Sequence, residues 1–592
     1  MKKLPEWILH REPVIFFVFS LLNMYTIFQL GFYYSLDGPQ HLYVANIIAE
    51  LLKGNEEISR YVLINDLIVG YWTGTFLLAI FKLFMPAAMA IKILLAIYYL
   101  GIAYAFRYLV RSVHRKPTLV TFLIFPFSAT FFIGMGYYNF SLALAVLFLC
   151  LGYYIRHIGR FNLKSLLALG LLLILQFLTH AFMYGITGLI MAAYLLFFFF
   201  LSWQKYGKAG KGFLLFLKQT GLLFLVSLPA NILFVNYVVS IRNITSYMGK
   251  QFVPVENLLD GIFNVRMLSW FVREQHAFLN HFIWGILLFL ILYSVIGRIR
   301  IFMSKDGGKG KKLMASDFWF PATIIILLLY FLYPDKLITG NISLRILTLF
   351  FLVLLVWVSS QRYPALVSIA IMLAVIPITV AKRNIHMTKL HELSDISERV
   401  IRNTAGMEPN SVYVALNYSS LWTHQHLRCL PGIDIPLIYT NAPQVHGQFP
   451  LKINTAECPA FYVGTKGRYS SRIFWSLEGN PEIPVRPVDY VVLINTDKMN
   501  DDPEHRIILD ELDKYYHQVN DQDETRDRLY ELNNRKVLMQ KYKEATSLPV
   551  LEKMQGAYSP AEYYLQKYVE LLNEYCLTDT TGANKEQPDT YY

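Results

Sequence analysis

The chain has 592 residues, of which 55% are hydrophobic and 16% charged, and its formal net charge is +12. Such a composition excludes a purely water-soluble protein and an intrinsically disordered one. The positive charge is gathered in short segments between apolar runs, so it gives no reason to expect a nucleic-acid partner.

A membrane-crossing helix needs ~20 apolar residues. Runs of that kind lie near residues 14–34, 88–107, 118–135, 139–155, 163–179, 183–202, 213–233, 280–297, 318–333, 343–360 and 364–381, which predicts about eleven spans. The first run is too long for the apolar core of a cleaved signal, and no small-residue cleavage site follows it. Lys2, Lys3 and Arg11 precede that run, and basic groups such as Arg107 to Lys116, Arg156 to Lys164, Lys205 to Lys218 and Arg298 to Lys312 recur at every second connection. By the positive-inside rule these connections are cytoplasmic, which puts the N-terminus inside and everything beyond the last run outside. Tyr71 to Met85 is apolar too, but counting it as a span would spoil the alternation. It is read as a helix lying in the outer interface, within a first outer loop over residues 35–87.

The expected organisation is therefore a transmembrane module over residues 1–383 and a soluble outer α/β domain over 384–592. In the latter, Lys389 to Asn403 has helical spacing of Leu390, Leu393, Ile396 and Val400. Strands are predicted at Ser411 to Leu416, Tyr490 to Ile494, Tyr516 to Val519 and Arg528 to Leu532, and helices at Arg506 to Tyr516 and Pro560 to Cys576, with a loose tail from Gly582. Residues 417–452 read as a long irregular stretch holding Trp422, His424, His426 and His446, suited to capping a site or touching an acceptor. Alternating histidines without a Cys-x-x-Cys make a weak zinc signal, so no metal is expected there. Cys429, Cys458 and Cys576 fall in this domain, and Cys429–Cys458 is the plausible disulfide.

The most informative stretch is Asp37-Gly38-Pro39-Gln40-His41, directly after the first apolar run. Asp, Gly and Pro are ordinary turn residues. An ionisable residue at the membrane surface is nonetheless costly to keep, and here it faces outward. The other outward turns bring Tyr138 and Asn139, then His180, then the loop Pro334 to Arg345 with Asp335, Lys336 and Asn341. Interfacial aromatics, a helix-end histidine and a snorkelling lysine are the plain alternatives for these. Arg345 is harder to explain that way, because a guanidinium at the end of a span needs an anionic partner. Midplane charges and matched broken helices, the marks of transporters, are scarce.

Together these features resemble the GT-C superfamily of polytopic glycosyltransferases, which use polyprenyl-phosphate-linked sugars. The resemblance rests on the number of spans, the large first outer loop with Asp37 at its start, the Tyr71-Trp72-Thr73-Gly74 to Phe84-Met85 helix before the second span, and the Pro334-Asp335 to Arg345 loop. It implies a polytopic α-helical fold with an outer C-terminal domain, and an enzyme in a prokaryotic cytoplasmic membrane. That enzyme would move a hexose or pentose from a polyprenyl phosphate to a glycolipid, glycan or protein. Asp37 would be the catalytic base, Arg345 and Lys336 would hold the donor phosphate, and His41, Tyr138, Asn139, His180, Asp335 and Asn341 would contact substrate. Asp37 is followed by glycine and proline where many relatives have a second acid, so a divalent metal, though open to such a site, is not favoured, and no other cofactor is expected. No W-W-D motif is present, which argues against recognition of asparagine sequons. The competing expectation is a non-enzymatic polytopic protein, either a transporter or an inactive scaffold of envelope assembly.

Overall fold

The computed structural model describes residues 3–114, 118–206, 209–245, 251–271, 273–303, 313–335, 341–442, 444–445, 449–461, 463–466, 472–475, 485–499, 503–520 and 526–533. Lys336, His446, Cys576, the expected helix Pro560 to Cys576 and the tail beyond it lie outside these residues.

The chain is a polytopic, mostly helical protein. Among the described residues, nine helices are long and apolar enough to cross a membrane: His10–Gln29, Ala87–His114, Tyr138–His157, Ala181–Gln204, Gly210–Ile241, Arg273–Ile301, Ala315–Leu332, Ile342–Ser359 and Ala365–Asn403. Leu163–Thr179 is a shorter apolar helix, started by a reciprocal cap in which Asn162 Oδ1 accepts from Ser165 N at 2.9 Å and Ser165 Oγ accepts from Asn162 N at 2.8 Å.

The span expected over residues 118–135 is not one helix. It is a 3₁₀ turn, Leu119–Leu123, and two short helices, Ile124–Ser128 and Phe131–Met135. Ser128 Oγ takes the Phe125 carbonyl at 2.7 Å, where the next helical turn would have placed a backbone N–H. Trp72–Lys82 is an 11-residue helix, too short to cross a bilayer.

Contacts divide the chain into two compact units. The first holds residues 1–33, 67–74 and 92–392; the second holds 34–66, 75–91 and 393–592. The boundary falls inside a single 39-residue helix, Ala365–Asn403. The last span and the amphipathic stretch from Lys389, read as separate helices in the sequence, are therefore continuous.

In the first unit the most enclosed helices are Ile342–Ser359 and Tyr138–His157, whose apolar windows are 94% and 89% buried. They form its centre, so a polar side chain on either must find partners inside the protein. A buried ion pair ties the start of the chain to the helix Ala87–His114. Arg107 Nε donates to Glu12 Oε1 at 2.9 Å and Arg107 Nη2 to Oε2, and Arg111 Nη2 lies 3.3 Å from the same Oε2.

The second unit is built on a five-stranded sheet in the order Tyr516–Gln518, Asp527–Leu532, Tyr490–Ile494, Val412–Asn417, Ile438–Tyr439. The first three strands pair antiparallel, and Val412–Asn417 pairs parallel with both of its neighbours. The helix Pro503–Tyr515 precedes the edge strand. All six residues of Val412–Asn417 and all five of Tyr490–Ile494 are buried, as expected for strands inside a sheet covered on both faces.

Much of the first outer loop belongs to this unit. Val62–Ile64 pairs antiparallel with Leu451–Ile453, and Arg486 Nη1 donates to Glu57 Oε1 at 2.6 Å. Residues 417–452 are more ordered than an irregular stretch: they hold the 3₁₀ turns Trp422–His424 and Leu427–Gly432 and the strands Ile438–Tyr439 and Leu451–Ile453. Cys429 and Cys458 are free thiols, so the expected disulfide is not formed.

Candidate functional site

Asp37 stands immediately before the helix Gly38–Leu52, with Pro39 in its first turn. Its backbone is in the right-handed region and its side chain makes no capping bond, so the carboxylate is not spent on the helix end. The helix is fixed within the second unit by Tyr43, which accepts from Tyr439 N at 3.0 Å and donates to Leu437 O at 3.1 Å. Asn46 Nδ2 donates to Gly432 O and Ile435 O, each at 3.1 Å. A Cβ on Gly432 would stand 2.6 Å from the Tyr43 ring, so this approach requires glycine.

That docking brings the turn Leu427–Gly432 and the residue before it against Asp37. His426 Nε2 lies 3.4 Å from Asp37 Oδ1. Burial pushes the Asp37 carboxyl up from 3.8 to about 7, against the opposing hydrogen bond from Gln40. Burial, then the charges of Arg428 and His41, hold His426 down at about 3. At neutral pH His426 is therefore an uncharged imidazole beside a carboxyl that burial keeps from ionising fully. His426 Nδ1 and Arg428 Nε and Nη1 are buried without hydrogen-bond partners. His41, 9% exposed, completes the group. Cys429 also feels Asp37 and Arg428, and burial pushes its thiol up to about 12, which keeps it unreactive.

A carboxyl poised near neutrality beside a neutral imidazole suits proton abstraction from a hydroxyl. The unspent donors of Arg428 suit an anionic or hydroxyl-rich ligand. The sequence reading placed His426 in a stretch suited to capping a site but did not pair it with Asp37, and it missed Arg428, whose one sign was a basic residue inside the apolar stretch Leu427-Arg428-Cys429-Leu430.

The first unit holds a second cluster. Arg345, one turn into Ile342–Ser359, is 6% exposed. Its guanidinium carbon lies 5.0 Å from the Phe140 ring centre, 5.2 Å from Tyr137 and 5.8 Å from Phe132. Arg345 Nη1 is 2.7 Å from His180 Nε2. Arginine only donates, so Nε2 accepts and the His180 proton sits on Nδ1. Both His180 Nδ1 and Arg345 Nε are buried without partners. No carboxylate is in salt-bridge contact with Arg345 among the described residues. The result is a desolvated cation lined by aromatic rings, with two N–H donors left over for an anion.

The remaining candidates have structural duties here. Asn139 Oδ1 accepts from Gly74 N at 2.6 Å and its Nδ2 donates to Tyr71 O at 2.9 Å, so its amide fixes the start of Trp72–Lys82. Asp335 Oδ1 accepts from Ser343 N at 2.8 Å, capping the helix that carries Arg345. Asn341, at φ +60°, adopts the left-handed conformation that asparagine tolerates, and its Nδ2 reaches Tyr137 Oη at 3.4 Å. Tyr138 is 3% exposed. No group of histidine, cysteine and acidic residues among the described residues is arranged to hold a metal ion.

No protein-family model matches the chain, and no curated protein matches it. Among solved structures it is similar to one described as ArnT from Cupriavidus metallidurans bound to undecaprenyl phosphate. The identity is 11% and the TM-score 0.40, over 87% of this chain and 97% of that one. At that score and identity the likeness carries nothing about the chemistry of this chain, which rests on its own residues.

Proposed function

We propose that the chain is a GT-C-type glycosyltransferase that moves a sugar from a polyprenyl phosphate to a glycolipid, glycan or protein at the outer face of a prokaryotic cytoplasmic membrane. The observation that carries this reading is the Asp37 carboxylate, unspent on the end of its helix and 3.4 Å from His426 Nε2, where burial pushes its pKa up to about 7. A weaker acid than an ordinary aspartic acid is a stronger base, and one that titrates near neutral pH is still ionised in a useful fraction.

In the proposed reaction Asp37 takes the proton of the acceptor hydroxyl. The acceptor oxygen bonds to the anomeric carbon while the bond from that carbon to the phosphate oxygen breaks. The electron pair leaves with the phosphate, and Arg345 and His180 hold the charge that develops there. Lys336, from the sequence of the same loop, assists in this reading. His426 positions Asp37 and Arg428 orients the acceptor. The second unit lies outside the membrane in this reading, with the N-terminus in the cytoplasm, as the alternation of basic connections indicates.

The test is Asp37→Asn in the purified full-length protein, assayed with a polyprenyl-phosphate sugar. Loss of the base should lower transfer by roughly 10²–10⁴-fold while leaving donor binding intact. Transfer within a few-fold of the unmodified rate would remove Asp37 from the mechanism.

A further inference from the structure

The connection between the spans Gly210–Ile241 and Arg273–Ile301 holds a nine-residue helix, Val255–Phe263, that neither the Asp37 nor the Arg345 cluster uses. Residues advance by about 100° around a helix. Gly261, Leu258 and Ile262 therefore share one side, Val255, Leu259 and Phe263 the next, and Glu256, Asp260 and Asn257 the third. The first side is buried. The second is apolar yet open: Val255, Leu259 and Phe263 are 59%, 41% and 57% exposed, and Phe252, just before the helix, is 58% exposed. The third is polar. Glu256 and Asn257 are exposed, and Asp260 pairs with Arg273 and, at 3.4 Å, with Arg266.

The buried side sets the depth of the helix. Leu258 O accepts from Tyr330 Oη at 3.0 Å. A Cβ on Gly261 would stand 2.5 Å from that hydroxyl and 3.4 Å from Leu347 Cδ2, so the backbone lies directly on both. At the other end Asn280 Nδ2 donates to Asn264 O at 2.8 Å and to Ser269 Oγ at 2.9 Å. Asn280 is held in turn by Lys382 Nζ, which donates to its Oδ1 at 2.6 Å and lies 3.4 Å from His276 Nδ1. The nearest span ends to Tyr330, Leu347 and Asn280 are Leu332, Ile342 and Arg273, so these contacts lie two, five and seven residues inside. At the helical rise that is roughly 3–10 Å. The helix therefore lies level with the spans, not above them. At the same depth Leu328 and Leu332 flank Tyr330 in sequence, and Phe278 and Phe282 flank Asn280; all four are exposed apolar side chains of membrane-crossing helices. Surface of that kind meets hydrocarbon.

We infer that Val255–Phe263 is a membrane-surface helix whose partner is the bilayer itself: Phe252, Val255, Leu259 and Phe263 are seated in the hydrocarbon of the leaflet at this end of the spans, and Glu256 and Asn257 face its headgroups. A helix with one docked, one apolar and one polar side has that orientation at a lipid–water boundary. Water on the second side would leave four apolar side chains exposed together.

The seating also holds the depth of Arg345. The helix touches Leu347, two residues beyond Arg345, and Gln251 O accepts at 2.8 Å from the backbone N–H of Asp335, which caps the Arg345 helix. Fixing one helix at the boundary between headgroups and hydrocarbon keeps the other at the level of a lipid-linked phosphate. This consequence rests on the donor-phosphate role proposed for Arg345; the seating does not.

The test places Leu259→Cys, Phe263→Cys and Asn257→Cys singly in the full-length protein without its native cysteines. Each is labelled with the fluorophore NBD and reconstituted in phosphatidylcholine vesicles. Phosphatidylcholine with a doxyl group on its acyl chain quenches from the lipid, and iodide quenches from water. The doxyl lipid should quench the labels at Leu259 and Phe263 several-fold more strongly than the label at Asn257, and iodide should give the reverse order. Equal quenching of all three by iodide overturns the inference. So does shielding of Leu259 and Phe263 from both quenchers, which would mean that a partner protein or a second copy covers them. Leu259→Glu changes an exposed side chain, and should weaken binding of a polyprenyl-phosphate analogue in the same vesicles by about tenfold, whereas Leu259→Phe should preserve it. Unchanged binding by Leu259→Glu would overturn the link to Arg345 and leave the seating in place. If Arg345→Ala binds the analogue as tightly as the unmodified protein while the quenching order holds, the seating stands and the donor-phosphate assignment fails.

Discussion

Arg345 Nη1 lies 2.7 Å from His180 Nε2, and this one contact settles the protonation of the imidazole. A permanently charged guanidinium must donate, so His180 presents its N–H on the opposite edge, at Nδ1, where it has no partner. A helix-end histidine and a span-end arginine, 165 residues apart, thereby become a single unit with donors left for an oxyanion.

Arg345 variants test that unit. Arg345→Lys keeps the charge and loses the planar fork, and should weaken binding of a polyprenyl-phosphate analogue by about tenfold. Arg345→Ala should weaken it further, and His180→Ala should cost less than either. Titration of the analogue against purified protein measures all three. An Arg345→Ala protein that binds as tightly as the unmodified one would move the donor phosphate elsewhere.

Asp37 sets a pH dependence with two signs. For transfer, the ionised carboxylate is the active form, so the rate should rise with pH and level off above about 7. For stability the sign is opposite. The folded carboxyl is raised to about 7 from 3.8, so the favourable contribution of its protonated form is complete below about 3.8 and is lost as pH rises through about 7. Asp37→Asn removes that loss. Its thermal midpoint should exceed that of the unmodified protein at pH 8 and match it near pH 4. A midpoint difference independent of pH would contradict the raised carboxyl.

Glu12 is 1% exposed and is held by Arg107, itself 8% exposed. Removing one partner of a buried pair strands the other, so Glu12→Ala should destabilise the protein by about 3–5 kcal/mol. Replacing both Glu12 and Arg107 by methionine should recover most of that. Detergent-solubilised thermal unfolding reports both variants, and a harmless Glu12→Ala would mean that the pair is hydrated.

Orientation is testable by cysteine labelling in a background without the native cysteines. With the N-terminus inside, Gly308→Cys should be shielded from an impermeant thiol reagent in intact cells, and Asp497→Cys should be labelled. The reverse pattern would place the second unit in the cytoplasm and rule out the proposed outer-face reaction.

The membrane architecture was legible in the sequence because spans declare themselves locally: length and apolarity are properties of consecutive residues. Strands such as Tyr490–Ile494 were legible for a similar reason, as short apolar runs rich in β-branched residues. Asp37 and Arg345 stood out because a charge at a membrane boundary is costly whatever surrounds it. What the sequence could not carry was distance. A 3₁₀ turn and a break after Ser128 divided an apparent span, and helical continuity through Lys389 joined two apparent elements. The pairing of Val62–Ile64 with Leu451–Ile453, the approach of His426 to Asp37 and the gathering of Lys382 with His276 link residues that lie 389, 389 and 106 positions apart. Those contacts, and the burial that raises one carboxyl and leaves particular nitrogens unpartnered, arise only when the tertiary fold removes water from several distant segments at once.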